Sequence, residues 1–343
     1  MKFKAAVIGC GRIGCGFDED PKRKQVSTHA GAYFFNSNID LVALSDVNED
    51  FLKKYSQRFS VPNTYTNYKD MLEIEKPDII SICTWNETHH EIVKVAVENG
   101  VKAIFCEKPI SNSLDNAKGM INFCQERGVI LMIDHQRRFD YTHQNIKNFI
   151  KEGKLGRIQQ ASFYYTAGIA NTGSHMFDLL RFFFGDVGWI QAHKSNNFSP
   201  NEKDPNFDGL IKFKNGVLCT IQACDVKNYL IFDLDIFGTK GKISLSKAGF
   251  KVEYNEIIES DLFSGYKELS QTNCPIKEKS RDFMVDAVKH LVDCIINKQK
   301  PICSGEDGLA SLELICAFKE SAEQKGKMIS LPLEQSQIEI NSK

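Results

Sequence analysis

Long apolar runs are missing from the sequence. Its apolar stretches are short and broken by charged residues, whereas a membrane-spanning helix needs about 20 apolar residues in a row. The apolar part of the N-terminal stretch, residues 5–8, is too short for the core of a secretory signal peptide and runs straight into glycines. We therefore expect a first β-strand there, and no membrane segment.

An excess of positive charge is also missing. The 343 residues include 43 Lys and Arg against 44 Asp and Glu, which gives a formal net charge of −1, and no long block of like charge occurs. Proteins that bind nucleic acid neutralise phosphates with a basic surface. The charge balance therefore argues against a nucleic-acid partner.

The 11 cysteines include no Cys-x-x-Cys pair, and the sequence has no His-Glu-x-x-His motif. These patterns are typical of zinc ribbons, redox motifs and metal-dependent hydrolases. Several cysteines, such as Cys83 and Cys106, lie in apolar runs instead. We expect reduced and mostly buried thiols, no metal site and a cytoplasmic location.

The predicted order of strands and helices changes near residue 134. Before it, apolar strands alternate with helical segments, which is typical of a doubly wound parallel sheet. After it, strand-like segments follow one another, with a hairpin signal at Asn215-Gly216. The sequence predicts an α/β protein with two domains. Residues 1–134 are expected to form a Rossmann domain, and residues 135–343 an α+β domain with a large, mostly antiparallel, open-faced sheet.

A glycine-rich loop follows the first predicted strand at once, with Gly9, Gly11 and Gly14 in the pattern Gly-x-Gly-x-x-Gly. In a dinucleotide-binding fold the first glycine permits a tight turn, the second lets the backbone approach a pyrophosphate, and the third allows close helix packing. A helix N-terminus after such a loop attracts phosphate charge. The position directly after a strand favours dinucleotide binding.

The second predicted strand ends at Asp46, which supplies the acidic residue that the dinucleotide fingerprint requires. It stands 32 positions after Gly14, against the usual roughly 20. A polar, proline-containing insertion at residues 17–25 explains the excess. A carboxylate that accepts from the ribose diol favours NAD over NADP, because it would repel a 2′-phosphate. The alternative is that Asp46 caps the following helix, which begins near Asn48.

The apolar run at residues 101–106 ends in Glu107-Lys108-Pro109. Ligands of parallel α/β sheets bind beyond the carboxyl ends of the strands, so a lysine delivered there can reach an active site. Pro109 fixes its own φ and restricts Lys108. The alternative is a surface lysine before a turn.

Two more motifs accompany these. Thr84-Trp85-Asn86 is followed by His89, and Asn171-Thr172-Gly173-Ser174-His175 leads to Asp178. Together with the glycine loop and Glu107-Lys108-Pro109, they resemble the glucose-fructose oxidoreductase and inositol dehydrogenase family, known as Gfo/Idh/MocA, over nearly the whole chain. The resemblance implies hydride transfer between nicotinamide C4 and a secondary alcohol or ketone of a sugar, nucleotide sugar or cyclitol.

The resemblance implies that residues 1–134 bind NAD(P) and that residues 135–343 bind the substrate and form the oligomer. It also implies a set of site residues. The cofactor-binding residues would be Gly9, Gly11, Arg12, Ile13, Gly14, Asp46, Thr84, Trp85, Asn86, His89, Glu107 and Lys108. The substrate-binding residues would be Lys108, Arg138, Asn171 and His175. The catalytic residues would be Lys108 and His175, because a histidine titrates near neutrality and a lysine can stabilise a developing alkoxide. We favour His175 as the acid/base with Lys108 assisting, over the reverse.

Two positions depart from the family pattern. Asn171 stands where many members have aspartate, so it can hydrogen-bond but cannot hold a negative charge. Trp85 stands where proline is usual, and its ring either stacks near the cofactor or fills a gap. His89 is expected to cap or pack, and Arg138 either binds a substrate oxygen or forms a salt bridge that links domains.

The sequence thus predicts an NAD-dependent dehydrogenase acting on a carbohydrate-like CH–OH group. The alternatives are a sensor or co-repressor that binds NAD(P) without catalysis, and an NADP-dependent ketoreductase of sugar biosynthesis. An open sheet face with apolar residues usually needs a partner, and the resemblance implies dimers or tetramers. We expect a homodimer or homotetramer.

Overall fold

The computed structural model describes residues 2–279 and 282–341. The chain forms two compact units: Met1–Asp140 with Arg281–Ala310, and Tyr141–Ser280 with Ser311–Lys343. The predicted boundary after residue 134 stays a prediction. The division adds that a late stretch, Arg281–Ala310, packs with the first unit; we call it the return segment. In the described part of the chain, no helix has the length and apolarity needed to cross a bilayer.

The first unit contains a six-stranded sheet in the order β3-β2-β1-β4-β5-β6, with all neighbouring strands parallel. The strands are β1 (Phe3–Ile8), β2 (Ile39–Ser45), β3 (Asn63–Tyr65), β4 (Ile79–Ile82), β5 (Ala103–Cys106) and β6 (Ile130–Ile133). β4 and β5 are buried at every residue, because parallel strands covered on both faces are apolar throughout. This is the predicted Rossmann topology.

Helices α1 (His29–Phe34), α2 (Glu49–Phe59), α3 (Tyr68–Glu75), α4 (His89–Glu98) and α5 (Leu114–Arg127) connect these strands. Their ends follow from local chemistry. The side chain of Ser113 accepts from the Asn116 amide at the start of α5. Gly128 ends the same helix at a φ of +67°, a left-handed conformation that glycine adopts at little cost.

The second unit is built on a nine-stranded sheet in the order β14-β13-β12-β11-β7-β10-β9-β8-β15. Its strands are β7 (Ile158–Tyr165), β8 (Val187–Lys194), β9 (Phe207–Phe213), β10 (Leu218–Ala223), β11 (Phe232–Gly238), β12 (Gly241–Ser246), β13 (Lys251–Glu259), β14 (Lys267–Thr272) and β15 (Ile329–Ser330). β7 and β10 pair in parallel and the other neighbours are antiparallel. The predicted mostly antiparallel sheet is confirmed, and Asn215-Gly216 turns between β9 and β10.

Burial alternates along the central strands of this sheet. In β11 and β12 every second residue is buried and the residues between are partly exposed. Helices α6 (Tyr141–Lys151) and α7 (Gly173–Phe184) belong to the same unit. Helix α8 (Phe283–Asn297) lies in the return segment, and α9 (Gly305–Glu323) begins there and ends in the second unit.

Candidate active site

The glycine loop packs closely against the end of β4. Gly9 has a φ of +94°, and a Cβ there would lie 2.8 Å from the carbonyl carbon of Cys83. A Cβ at Gly14 would lie 2.0 Å from the Gly9 carbonyl oxygen, but a Cβ at Gly11 would meet no atom within 4 Å. The first and third glycines therefore permit the fold of the loop, and the second leaves its backbone accessible to a ligand.

A short helical turn replaces the regular helix that we expected directly after the glycine loop. Residues Arg12–Gly16 form a π-helical turn, Phe17–Glu19 form a 3₁₀ turn, and α1 begins only at His29. The insertion at residues 17–25, which contains the 3₁₀ turn, lies between the π-helical turn and α1. The guanidinium of Arg12 lies 4.7 Å from the centre of the Phe17 ring.

Acidic residues anchor the start of this insertion. The Asp18 carboxylate accepts from the Ser27 amide at 2.6 Å and from the hydroxyl of Thr28, which caps α1. Glu19 pairs with Lys54 of α2 at 2.8 Å. The insertion is thus tied to α1 and α2.

Asp46 lies just beyond β2, beside the glycine loop. Its carboxylate accepts from the Cys10 amide at 2.6 Å and from the Asn48 amide at 2.9 Å. The side chain that caps α2 is that of Asn48, which accepts from the amides of Asp50 and Phe51. The cap of α2 is therefore Asn48 and not Asp46, and the role of Asp46 in cofactor binding stays a prediction.

Glu107 and Lys108 follow β5 directly. Glu107 is buried, Lys108 is half-buried, and the Lys108–Pro109 peptide bond is cis. The Glu107 carboxylate accepts from the backbone amide of Lys108 at 3.1 Å. Burial raises the pKa of Glu107, but the hydrogen bond and charge of His29 and the charge of Lys108 outweigh it, so its pKa lies below the usual value.

The Thr-Trp-Asn motif follows β4, the strand next to β5. Asn86 is buried and donates to the Ser111 carbonyl at 3.2 Å. Trp85 is 54% exposed, which argues against the alternative that its ring fills a gap in the core. The Thr84 hydroxyl lies 2.7 Å from the hydroxyl of Thr88.

His89 joins the two loops that follow β4 and β5. It is fully buried, with Nε2 3.1 Å from the Thr84 carbonyl oxygen and Nδ1 3.1 Å from that of Ile110. Burial lowers its pKa, against the effect of these carbonyls. His89 is therefore a neutral, buried residue that connects the loops after β4 and β5, and its predicted place among the cofactor-binding residues stays a prediction.

Six predicted cofactor positions thus meet at one edge of the first unit's sheet. They lie at the carboxyl ends of β1, β2, β4 and β5: Gly9, Gly11, Asp46, Thr84, Glu107 and Lys108. The strand order reverses between β1 and β4, which is where doubly wound sheets bind ligands.

His175 lies in the first turn of α7, in the second unit, and is half-buried. The preceding π-helical turn, Gly168–Thr172, is fixed by a buried carboxylate that the sequence did not reveal. Asp204 accepts from the amides of Ala170 at 2.7 Å and Asn171 at 2.9 Å. Asn171 itself is exposed.

Helix α9 supports the start of α7 from another side. The Ser311 hydroxyl donates to the Ser174 carbonyl at 2.9 Å, and the rings of Phe177 and Phe318 lie 4.8 Å apart. Asp178 is buried one turn after His175. The backbone that carries His175 is therefore held by two separate parts of the second unit.

Arg138 is buried in the first unit. Its Nη1 donates to the Ile302 carbonyl at 2.8 Å and lies 3.1 Å from the Asp307 carboxylate. Both partners belong to the return segment, so the ion pair is internal to the first unit and does not link the two units. The predicted role in substrate binding stays a prediction.

Sequence reasoning missed three buried polar residues: Asp204, His29 and Asp134. His29 and Asp134 lie beside Glu107, with His29 Nε2 3.2 Å from the Glu107 carboxylate and 3.7 Å from that of Asp134. No local motif contains them with their partners, because the contacts join residues far apart in sequence. The available signal was a polar residue directly after an apolar run, as Asp134 is after β6.

Two family models cover most of the chain. Residues 3–135 match the oxidoreductase family's NAD-binding Rossmann fold, and residues 166–331 match its C-terminal alpha/beta domain. Both are models of the Gfo/Idh/MocA family.

Curated relatives and solved structures agree with these matches. The chain is 26% identical to D-apiose dehydrogenase of Paraburkholderia graminis, over 96% of this chain and 90% of the relative. It is 27% identical to myo-inositol 2-dehydrogenase of Thermotoga maritima, over 94% and 97%. Its fold is similar to that of the WlbA dehydrogenase from Bordetella pertussis, crystallised with NADH and UDP-GlcNAcA, with a TM-score of 0.80, 21% identity and coverage of 97% and 99%. The chain belongs to the Gfo/Idh/MocA family of NAD-binding oxidoreductases.

Proposed function

We propose that this protein is an NAD-dependent dehydrogenase that moves hydride between a secondary alcohol carbon of a sugar, nucleotide sugar or cyclitol and nicotinamide C4. The observation that carries the proposal is the meeting of the glycine loop, Asp46 and Lys108 at the carboxyl edge of one parallel sheet. Cofactor recognition and a candidate catalytic group therefore stand on rigid elements of the same unit.

The residues present fit a dinucleotide. Gly11 leaves its backbone open for a pyrophosphate, and Asp46 is fixed beside the loop by the Cys10 amide, where it can accept from a ribose diol. Bound NAD supplies the hydride acceptor. Asp46 would repel a 2′-phosphate, and Val47 and Asn48 after it carry no positive charge, which supports NAD over NADP.

The substrate class rests on the relatives. D-apiose dehydrogenase and myo-inositol 2-dehydrogenase are named for a sugar and a cyclitol, and both match almost the full length of this chain. A polyhydroxylated substrate needs several hydrogen-bonding groups. Arg138, Asn171, His175 and Lys108 are the groups that we assign to it.

Two residues divide the chemistry. Oxidation of the alcohol removes a hydride from carbon and a proton from oxygen, so one group must take the proton and another must stabilise the charge on oxygen. His175 suits the proton transfer, because an imidazole titrates near neutral pH. Lys108 orients the hydroxyl and stabilises the developing alkoxide with its ammonium group.

A homo-oligomer and a cytoplasmic location complete the proposal. The exposed cross-strand pair Ile257 and Leu269 on β13 and β14 supports an association through this part of the sheet. None of the 11 cysteines is in a disulfide bond, which suits a reducing compartment.

The test is the absorbance of reduced nicotinamide, followed with purified protein, NAD or NADP, and a panel of free sugars, inositols and nucleotide sugars. We expect turnover with NAD and at least one member of the panel. Turnover with NADP alone would overturn the cofactor assignment. Tight NAD binding without turnover by any member would favour a sensor of the same fold.

A further inference from the structure

A buried polar cluster surrounds Glu107, the residue before Lys108, in the first unit. It consists of Tyr33 and His29 from α1, Ser81 from β4, Glu107 after β5 and Asp134 after β6, and none of them is more than 7% exposed. Interiors rarely hold two carboxyl groups and an imidazole without a purpose, because desolvating them is costly. We call this set the Glu107 cluster.

His29 is the centre of the Glu107 cluster. Its Nε2 lies 3.2 Å from Glu107 Oε1 and 3.7 Å from Asp134 Oδ2, and its Nδ1 lies 2.8 Å from Ser81 Oγ. Ser81 in turn donates to the Tyr33 hydroxyl at 2.7 Å. The imidazole is thus held at both nitrogens, and its ring packs 4.4 Å from that of Phe105.

The two carboxyl groups of the cluster differ in charge. Burial and the neighbouring charge of Glu107 raise the pKa of Asp134 well above its usual value. Two adjacent buried carboxylates cannot both ionise without a large penalty. Asp134 Oδ1 also has no hydrogen-bond partner, which a neutral carboxyl group tolerates better than a carboxylate does. Asp134 therefore carries the shared proton and Glu107 carries the negative charge.

The two thiols and the phenol near Glu107 stay neutral. Burial raises the pKa of the Cys83 and Cys106 thiols well above the usual value, and it also raises the pKa of Tyr33. Lys108 is the cation whose charge acts on Glu107. The ionised carboxylate therefore has His29 3.2 Å away and also responds to the positive charge of Lys108.

Glu107 also fixes the backbone of its neighbour, since its second oxygen, Oε2, accepts from the Lys108 amide at 3.1 Å. One carboxylate thus sets both the path of the chain at Lys108 and the charge beside the lysine. Interactions between charges are reciprocal, so a carboxylate whose ionisation Lys108 favours also favours the protonated Lys108.

We propose that His29 is a positioning residue for Lys108: it holds Glu107 ionised and in place, while Asp134 takes the acidic proton of the cluster. This inference rests on the proposed catalytic role of Lys108. In this proposal Glu107 is a fixed negative charge and Asp134 is a neutral hydrogen-bond donor.

The test compares two nearly isosteric variants, Glu107→Gln and Asp134→Asn, in steady-state kinetics across pH. Each removes the ability to ionise at one position. Because only Glu107 is ionised in the proposal, we expect Glu107→Gln to lose at least about ten times more of kcat than Asp134→Asn, the equivalent of about 1.4 kcal/mol. Equal losses would overturn the proposal.

The pH profile supplies a readout that a purely structural role would not move. Without the charge of Glu107, the ammonium form of Lys108 is less stable, so the alkaline limb of kcat/KM should move to lower pH by about one unit or more. His29→Gln should move it in the same direction, because Glu107 then loses its partner. An alkaline limb that stays in place in both variants would contradict the proposal.

Three controls keep the result interpretable. His90→Gln removes a histidine of the same unit that packs on Phe123 outside the cluster, and it should leave kcat and the pH profile unchanged. NAD binding by fluorescence and thermal unfolding separate folding defects from kinetic ones. Lys108→Ala tests the proposed function itself, because full turnover in this variant would refute the catalytic role of Lys108. If Lys108→Ala is inactive but Glu107→Gln and Asp134→Asn lose kcat equally, only the positioning role of His29 and Glu107 is refuted.

Metal analysis of the purified protein provides a further check. Ligand atoms of His29, Glu107 and Asp134 all lie within 4.8 Å of one another, a spacing that would also suit a cation. We expect less than about a tenth of an equivalent of metal per chain, since a proton already balances the charge. One bound equivalent of metal per chain that is lost in both Glu107→Gln and Asp134→Asn would mean that a metal ion, and not a proton, balances the charge of the cluster. That result would overturn the proposal.

Discussion

Asp46 is held between two backbone amides, that of Cys10 in the glycine loop and that of Asn48 at the start of α2. Its orientation is therefore set before any cofactor binds. A carboxylate fixed in this way discriminates by charge as well as by hydrogen bonding, because it cannot turn away from a 2′-phosphate.

Replacing Asp46 should weaken the preference for NAD. In Asp46→Ala we expect the Kd for NAD to rise and the ratio of NADP to NAD affinity to increase at least about tenfold, a difference of about 1.4 kcal/mol. Titrations of both cofactors by fluorescence measure it. Asp40→Ala, on the same strand but exposed and paired with Lys2, is the control. A ratio that matches the control would remove Asp46 from cofactor recognition.

Lys108 should matter for turnover and little for cofactor binding. In Lys108→Ala we expect kcat to fall at least about a hundredfold, the usual range for a group that assists proton transfer or charge stabilisation, while the Kd for NAD changes little. Lys102→Ala is the matched control, because Lys102 lies just before the same strand, is exposed and pairs with Asp78. If Lys108→Ala keeps its turnover, Lys108 is not the cation that stabilises the alkoxide, and the proposed mechanism is wrong.

Single residues differed in how far the sequence could predict them. The glycines, Asp46 and Lys108 belong to short motifs whose chemistry is local, so their positions at strand ends could be predicted. Asp204 clamps a turn 33 or 34 positions earlier in the chain, and His29 meets Glu107 78 positions later. Such contacts depend on the folded arrangement, and no spacing rule predicts them.

At the level of elements, the turn before α7 depends on one carboxylate. Asp204 is buried and accepts from two amides of that turn, those of Ala170 and Asn171. The position of His175 in the first turn of α7 is therefore coupled to the loop that carries Asp204.

Removing this carboxylate should loosen the turn. In Asp204→Ala we expect a loss of about 1–3 kcal/mol in the free energy of unfolding, because buried amides lose their acceptor. If the proposed role of His175 holds, kcat should fall as well, with NAD affinity unchanged. Chemical denaturation and steady-state kinetics measure both effects. Glu202→Ala, an exposed neighbour on the same loop, is the control, and a variant as stable as this control would contradict the clamp.

Most elements with strong apolar patterns were predicted. The buried strands β4 and β5, for example, are recognisable in the sequence as apolar runs. The hairpin of β13 and β14 was not predicted, because most of its residues are polar or charged and Val252 is its one buried residue. Helix α8 was missed although its buried face is apolar.

At the level of the whole molecule, the two family matches confirm the predicted oxidoreductase family, the two-part fold and the NAD-binding Rossmann unit. The site residues stay predictions until they are substituted. The oligomeric state and the location also stay predictions, since they depend on other molecules or on the cell.

The exposed apolar pair on β13 and β14 makes the oligomer testable. Light scattering at micromolar concentration should give a dimer or tetramer mass. In a double variant, Ile257→Glu with Leu269→Lys, we expect the assembly to dissociate or weaken at least about tenfold, since two desolvated charges would oppose burial. Glu256→Lys, next to Ile257 on the same strand, is the control. A wild-type monomer would refute the proposed oligomer.

The return segment makes the first unit discontinuous along the chain. Its helix α8 packs on α1, β5 and β6, and the Ile302 carbonyl and Asp307 hold Arg138. On the ribosome this segment emerges only after the larger part of the second unit, Tyr141–Ser280, has been synthesised. The side of β5 and β6 that α8 covers therefore stays exposed until translation is nearly finished. A nascent chain stalled before residue 281 should bind chaperones at that side.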